Sequence, residues 1–304
     1  MSIVAFMGAL ELGLIYALLA LGIFVSYRIL GVADLTVEGS FTTGAAVCAV
    51  FVVAGQPILG IILAIFAGAV AGLCSAFMQT KMRIQPILAG ILTMTALYSV
   101  NLGIMGGRSN IAMLRDETLF TIIAATTGDM ALWRTILPLI IIVTVGVILG
   151  LFFHTRMGLS IRATGDNEAM VKASSVNTTF TKSVGLAIGN ALAALSGALI
   201  AQYQSFADIS MGLGMVVVAL ASVIIGEAIF GRRTVVWNIS AVIIGAVIYR
   251  VILAFVLSFR LNPANLRGIS ALIVTIAISY PAIKSLWHTH KLKRKARLNH
   301  VKNH

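Results

Sequence analysis

The sequence predicts an all-α integral membrane protein, a bundle of about nine transmembrane helices with a short helix in one of its polar connections. Hydrophobic residues make up 59% of the 304-residue chain and charged residues only 11%. The mean hydropathy is +1.02. Soluble domains typically contain about 45–50% apolar and about 25% charged residues. The composition therefore excludes an ordinary soluble domain.

Nine stretches are apolar over the length of about 20 residues that a membrane-crossing helix needs. Glycines recur inside them, and the pairs Gly68/Gly72 and Gly185/Gly189 have the spacing that lets helix backbones approach closely. We therefore expect a compact bundle. The expected spans are 3–27, 32–54, 57–79, 85–105, 135–154, 181–203, 212–231, 235–258 and 269–288.

Lysine and arginine residues set the expected orientation, because they accumulate in cytoplasmic connections. If residues 155–180 are cytoplasmic, 16 of the 22 basic residues fall inside. The net charge of +12 is then explained by anchoring to membrane lipids, and nucleic acid is not an expected partner. We expect a transmembrane domain of residues 1–288, a basic cytoplasmic tail at 289–304 and, provisionally, an external N-terminus.

A polar interval at residues 162–177 interrupts the apolar chain and has the features of a surface helix. Glu168 lies four residues before Lys172, the spacing of a helical ion pair, and in the first turn, where the helix dipole favours it. The interval is either a capped connecting helix or a helix that docks another protein. Its candidate capping residues are Thr164, Asp166 and Asn167, and its apolar residues are Ala169, Met170 and Ala173.

Carboxylates inside a span cost at least about 2.5–3.5 kcal/mol, so each needs a partner, a cavity or a function. Asp34 and Glu38 stand beside glycines at the start of the second span, as in a broken helix that lines a cavity. Alternatively, they cap a helix end at the inner interface. On one helical face they would repel each other, which a helix break, a nearby Arg28 or protonation would relieve.

Neutral polar residues in the fourth and sixth spans extend this candidate pathway, although hydrogen bonds between helices explain such residues in most membrane bundles. Two further carboxylates have simpler expected roles. Glu11 should reach the outer headgroups or pair with Arg250 or Arg260, and Glu227 should pair with an adjacent arginine. The predicted substrate-pathway residues are Asp34, Thr36, Glu38, Ser40, Tyr98, Asn101 and Asn190.

The longest segment between spans, residues 106–134, carries mixed charge and is expected on the outer face, as a plain loop or as a surface for a partner. Catalytic motifs are missing from the sequence. No lysine follows a glycine, which excludes a phosphate-binding Gly-Lys loop, and neither a Gly-x-Ser-x-Gly elbow nor a His-Glu-x-x-His pair occurs. We expect neither an enzyme nor a metal site.

Several blocks of sequence together resemble the membrane permease subunits of ABC importers of the branched-chain amino acid and ribose type. The first and second spans are most similar to the tryptophan/tyrosine-type subgroup, and the likeness covers nearly the whole chain. Where Glu227 stands, that family commonly has a glycine, so Glu227 is given no family role. The blocks are MGL at 157–159, RATGDN at 162–167, YALLALG at 16–22, DLTVEGSF at 34–41, and residues 192–201 and 226–231.

The resemblance implies that the polar interval is a cytoplasmic coupling helix docking into a separate ABC ATPase subunit, which binds the ATP and Mg. It also implies an external substrate-binding protein, a second permease copy as a homodimer, a bacterial inner membrane and a small solute such as an amino acid. This chain itself would need no cofactor. The implied coupling residues are Arg162, Ala163, Thr164, Gly165, Asp166, Asn167, Glu168, Ala169, Met170 and Lys172.

One alternative belongs to another class of transporter. In an ion-coupled secondary transporter, Asp34, Glu38 or Glu11 would carry protons across the membrane. Uptake driven by a proton gradient without a second subunit would distinguish this alternative from an ATP-driven importer.

Overall fold

The computed structural model describes residues 3–258, 268 and 275. The expected ninth span at 269–288 and the basic tail at 289–304 therefore lie almost wholly outside the described residues. The first helix ends in a π-helical turn at Phe24–Ile29. The other elements are α1 Ile3–Ile23, α2 Thr36–Val53, α3 Pro57–Thr80, α4 Pro86–Ile104, β1 Asn110–Ala112, α5 Leu119–Thr127, α6 Met130–Phe152, α7 Arg156–Asp166, α8 Glu168–Ala173, α9 Thr178–Gln204, β2 Phe206–Asp208, α10 Met215–Phe230 and α11 Val235–Leu257.

Seven described helices are long and apolar enough to cross a membrane, which confirms a helical membrane protein. The described part of the chain does not provide the expected nine. α10 corresponds to the expected span 212–231 but has only 16 residues, or about 24 Å of helix, against about 30 Å of hydrocarbon. The spanning helices are Ile3–Ile29, Thr36–Val53, Pro57–Thr80, Pro86–Ile104, Leu132–Phe152, Thr178–Gln204 and Val235–Leu257.

The connections depart from the sequence prediction in two places. Residues 106–134 are not a plain loop, because they contain β1, the capped helix α5 and the start of α6. β1 pairs antiparallel with β2, an element that an all-α prediction leaves out. The expected helix over 162–177 is also wrong in its bounds, since two helices, α7 and α8, meet there at Asn167.

Helix α9 lies at the centre of the bundle and packs against α1, α2 and α3 through glycines. Added Cβ atoms at Gly68 and Gly72 would meet the α9 backbone at Asn190 and Leu186, and one at Gly44 would meet Ala194. The Gly68/Gly72 pair is therefore a close helix contact, as its spacing predicts.

The bundle has two ends with different character. At one, which we call the basic end, Gly165 of α7 packs against Ile29, and Arg28 pairs with Glu227. At the other, the strand end, β1 pairs with β2. The helix directions place these described basic residues at the basic end: Arg28, Lys81, Arg83, Arg156, Arg162, Lys172, Lys182, Arg232 and Arg233.

Candidate functional site

A six-residue break, residues 30–35, separates the π-helical turn from α2 and contains the buried Asp34. Oδ2 of Asp34 accepts a hydrogen bond from Nδ2 of Asn190 at 2.7 Å, and Oδ1 accepts one from the Thr36 amide at 3.0 Å. Ser40 Oγ donates to Asn190 Oδ1 at 2.7 Å. Since Asn190 is midway along α9, the break lies deep inside the bundle.

These four predicted pathway residues thus form one buried polar network that joins the start of α2 to α9. Ser75 of α3 lies 3.5 Å from Asp34 Oδ1 and adds the third helix. Satisfied buried polar groups of this kind fix how helices pack. Asp34, Ser40 and Asn190 therefore have hydrogen-bond partners on neighbouring elements of the bundle, whereas Thr36 contributes only its amide and its buried hydroxyl has no partner among the described residues. The pathway role of these four residues stays a prediction.

The other three predicted pathway residues, Glu38, Tyr98 and Asn101, come together in a pocket of about 210 Å³. Its walls come from α2, α4 and the connection that leads into α10. Asn101 is buried, whereas the Tyr98 side chain is 54% exposed. The pocket is lined by Glu38, Gly39, Thr42, Met94, Thr95, Tyr98, Asn101, Ile209, Gly212 and Leu213.

Glu38 caps the N-terminus of α10 through hydrogen bonds. Its Oε1 accepts hydrogen bonds from the amides of Gly214 at 3.0 Å and Val216 at 3.3 Å, and Thr42 Oγ1 accepts one from the Gly212 amide at 3.1 Å. A carboxylate stabilises a helix N-terminus by pairing with free amides and the dipole. Because Glu38 and Thr42 lie within the first two turns of α2, α10 begins level with those turns, where Leu213 and Gly214 are exposed.

The break in the chain separates the two carboxylates that would repel on a continuous helix. Asp34 bonds to the first amide of α2, and Glu38 bonds to the first amides of α10. Residues 30–35 form the connection between the first and second spans, so the two carboxylates do not share one helical face. A break within a span that lines a cavity stays a prediction. The alternative of helix capping is partly correct, because Glu38 caps α10, which corresponds to the expected span 212–231, although the contact between Glu38 and α10 was not predicted.

The two other carboxylates of the predicted spans, Glu11 and Glu227, also have partners in the structure. Glu11 accepts hydrogen bonds from the Tyr203 hydroxyl at 2.6 Å and from Thr135 Oγ1 at 2.9 Å. The predicted pairing with Arg250 is wrong, because that guanidinium stacks on the Tyr16 ring at 3.7 Å. Arg260 lies outside the described residues.

Glu227 forms the expected ion pair with an adjacent arginine, Arg232, at 2.7 Å. It forms a second ion pair, also at 2.7 Å, with Arg28 of the π-helical turn. The C-terminal end of α10 is therefore tied to the end of the first membrane helix.

The polar interval of the sequence folds as α7 and α8. The Asn167 side chain caps α8 by accepting a hydrogen bond from the Met170 amide at 3.0 Å, as predicted. Thr164 does not cap a helix, because it lies inside α7, donates to the Ser160 carbonyl at 2.7 Å and contacts Thr181 Oγ1 at 2.9 Å. Asp166 is the exposed last residue of α7.

Glu168 connects α8 to α9 through an ion pair. It pairs with Lys172 at 2.9 Å, as the spacing predicts, and with Lys182 of α9 at 2.6 Å. Val171 is buried beneath α8. On the opposite side, α8 exposes the predicted apolar residues, Ala169, Met170 and Ala173, with Met170 62% exposed.

Glu168 gives a testable dependence of stability on pH. The hydrogen bond from Lys182, with a second from Lys172, lowers the pKa of Glu168 from 4.5 to about 2. A carboxyl whose pKa is lower in the folded than in the unfolded protein stabilises the fold at any pH above its unfolded-state pKa. For Glu168, this stabilisation is lost as the pH falls from about 4.5 towards 2. Because the carboxylate is partly exposed to water, we expect Glu168→Gln to cost about 1 kcal/mol or less at pH 7.

Thermal unfolding of the detergent-solubilised protein checks this expectation. The difference in thermal midpoint between wild type and Glu168→Gln should become smaller below about pH 4.5. Glu117→Gln, at an exposed site on the strand end, is the control and should not shift the midpoint. A difference that stays constant between pH 7 and pH 3 would contradict the role given to the two lysines.

Comparison with known proteins relates this geometry to transporters. A family model described as branched-chain amino acid transport system, permease component, matches residues 6–279. The chain is 36% identical over 262 residues to a tyrosine transport system permease protein of Clostridioides difficile, covering 86% of each chain. It is 26% identical over 261 residues to the ribose import permease protein RbsC of Escherichia coli, covering 84% of this chain and 76% of RbsC.

A third relative, the uncharacterized protein RP368 of Rickettsia prowazekii, is 39% identical over 276 residues, covering 89% of this chain and 95% of the relative. No solved structure matches the chain significantly.

Proposed function

We propose, since this chain belongs to the branched-chain amino acid transport permease family, that it forms the membrane route for an amino acid in an ATP-driven importer. It is the permease component of an ABC-type transport system and a multi-pass membrane protein. One relative is named for tyrosine and another for ribose, so an amino acid and a sugar are both candidate solutes. The tyrosine-type relative is the more similar of the two and supports an amino acid.

The observation that supports the route most strongly is the pocket formed where the first turns of α2 meet the start of α10. Discontinuous membrane helices whose N-termini meet at depth commonly form solute sites in transporters. The pocket contains a carboxylate, hydroxyls and an amide beside apolar side chains, so it can bind a polar solute.

The basic end supplies the second part of the proposal. α7 and α8 expose a small apolar face that is fixed to the bundle by Glu168 and Gly165. In the proposed cycle, ATPase subunits in the cytoplasm grip this surface and drive the permease between outward- and inward-open states. An external binding protein loads the solute at the strand end, a second copy of the chain completes the pore, and the C-terminus is cytoplasmic.

The test is reconstitution in proteoliposomes with the ATPase and binding protein encoded by neighbouring genes. We expect uptake of L-tyrosine that requires both ATP and the binding protein. Concentrative uptake by the purified chain alone, driven by a proton gradient, would overturn the proposal in favour of a secondary transporter.

A further inference from the structure

We propose that the pocket between α2, α4 and the start of α10 is a subsite for the ammonium group of the transported solute. The inference rests on the proposed function and deepens it, because it names the chemical group that the route recognises. Two pocket residues carry it, Glu38 of α2 and Asn101 of α4.

Glu38 supplies the charge of the pocket. It is the one acidic side chain among the ten described lining residues, which include no lysine, arginine or histidine. The two amides of α10 both donate to Oε1, and no described residue donates to Oε2. A partly buried carboxylate without a neighbouring cation among the lining residues gains more from a cationic ligand than from a neutral one.

Asn101 supplies a second acceptor. Its side chain is 1% exposed, and its Oδ1 has no hydrogen-bond partner among the described residues. A buried carbonyl oxygen without a donor is unfavourable, and a donor that reached it from the pocket would relieve that cost. An ammonium carries three donors, more than the two acceptors that Glu38 and Asn101 provide.

The remaining walls indicate what the ammonium is attached to. The Tyr98 ring and the apolar side chains of Met94, Ile209 and Leu213 face the same space. Aromatic rings and thioethers bind apolar groups, and an aromatic face also attracts cations. The pocket therefore fits an ammonium on an apolar or aromatic body, and it offers no cationic side chain for an anionic solute.

Two substitutions of Glu38 separate binding from capping. Glu38→Gln keeps a carbonyl oxygen that can accept the α10 amides but removes the charge, whereas Glu38→Ala removes both. We expect Glu38→Gln to lower ATP-driven uptake of L-tyrosine at least tenfold, with binding-protein-stimulated ATPase activity within twofold of wild type. Glu38→Ala should lower uptake equally and also lower the thermal midpoint.

The matched control is Glu11→Gln, which neutralises another buried carboxylate outside the pocket and should keep uptake within twofold. Asn101→Leu, which removes the second acceptor, should lower tyrosine uptake severalfold. Uptake by Glu38→Gln within twofold of wild type, with loss only in Glu38→Ala, would show a capping role alone and overturn the subsite.

The wild-type complex distinguishes failure of this inference from failure of the proposed function. ATP-driven uptake of D-ribose but not of L-tyrosine would agree with an ATP-driven importer and overturn the ammonium subsite. Absence of ATP-driven uptake for either probe would overturn both.

Discussion

Replacing Asp166 with lysine is expected to lower ATP-driven uptake at least tenfold without changing the thermal stability of the protein. Asp166 is exposed at the end of α7, beside the break at Asn167, so its side chain contributes to the surface and not to the core. Reversing its charge should weaken the proposed docking of an ATPase subunit, because a lysine no longer complements a partner surface that faces a carboxylate. Uptake, ATPase activity and the thermal midpoint are measured on the same preparation.

Two further variants separate docking from folding. Asp166→Asn removes the charge without adding the opposite one and should have an intermediate effect. Gly165→Leu should lower uptake and stability together, because a side chain at Gly165 would overlap the Ile29 carbonyl. Normal uptake by Asp166→Lys would remove α7 and α8 from the proposed coupling surface.

The local features of this surface could be predicted from sequence, and its tertiary contacts could not. The Asn167 cap and the Glu168–Lys172 pair depend on residues within four positions of each other. The partner Lys182 lies fourteen residues away on α9, and its approach depends on how α8 folds back onto the bundle. Nothing in the spacing of the sequence indicates that contact.

The predicted pathway residues also show that local features could be predicted and tertiary contacts could not. The sequence predicts Asp34 and Glu38 at the start of the second span, and the structure has Asp34 just before α2 and Glu38 in its first turn. Their separation into a packing network and a pocket depends on Asn190, 156 residues from Asp34, and on Gly214, 176 residues from Glu38. The strands were missed for a similar reason, because three-residue strands form only through pairing across the chain.

Gly44→Leu is the substitution for which we expect the largest loss of stability. Gly44 lies in the middle of α2, and a Cβ there would overlap the Ala194 carbonyl of α9. Leucine in place of glycine favours an isolated helix by roughly 1 kcal/mol. Overpacking a close interface costs about 1–3 kcal/mol or more, and here the obstacle is backbone that cannot rotate away. The clash should therefore outweigh the gain in helix propensity.

The measurement is the thermal midpoint and the monodisperse fraction of the protein in detergent. Gly8→Leu in α1 is the matched control, because no other part of the described structure lies within 4 Å of a Cβ at Gly8. That variant should be neutral or slightly stabilising, whereas Gly44→Leu should lose most of its monodisperse protein. Equal stability of the two variants would mean that α2 and α9 are not in backbone contact. The depth assigned to Asp34 and to the pocket would then be wrong as well, because both are positioned by that contact.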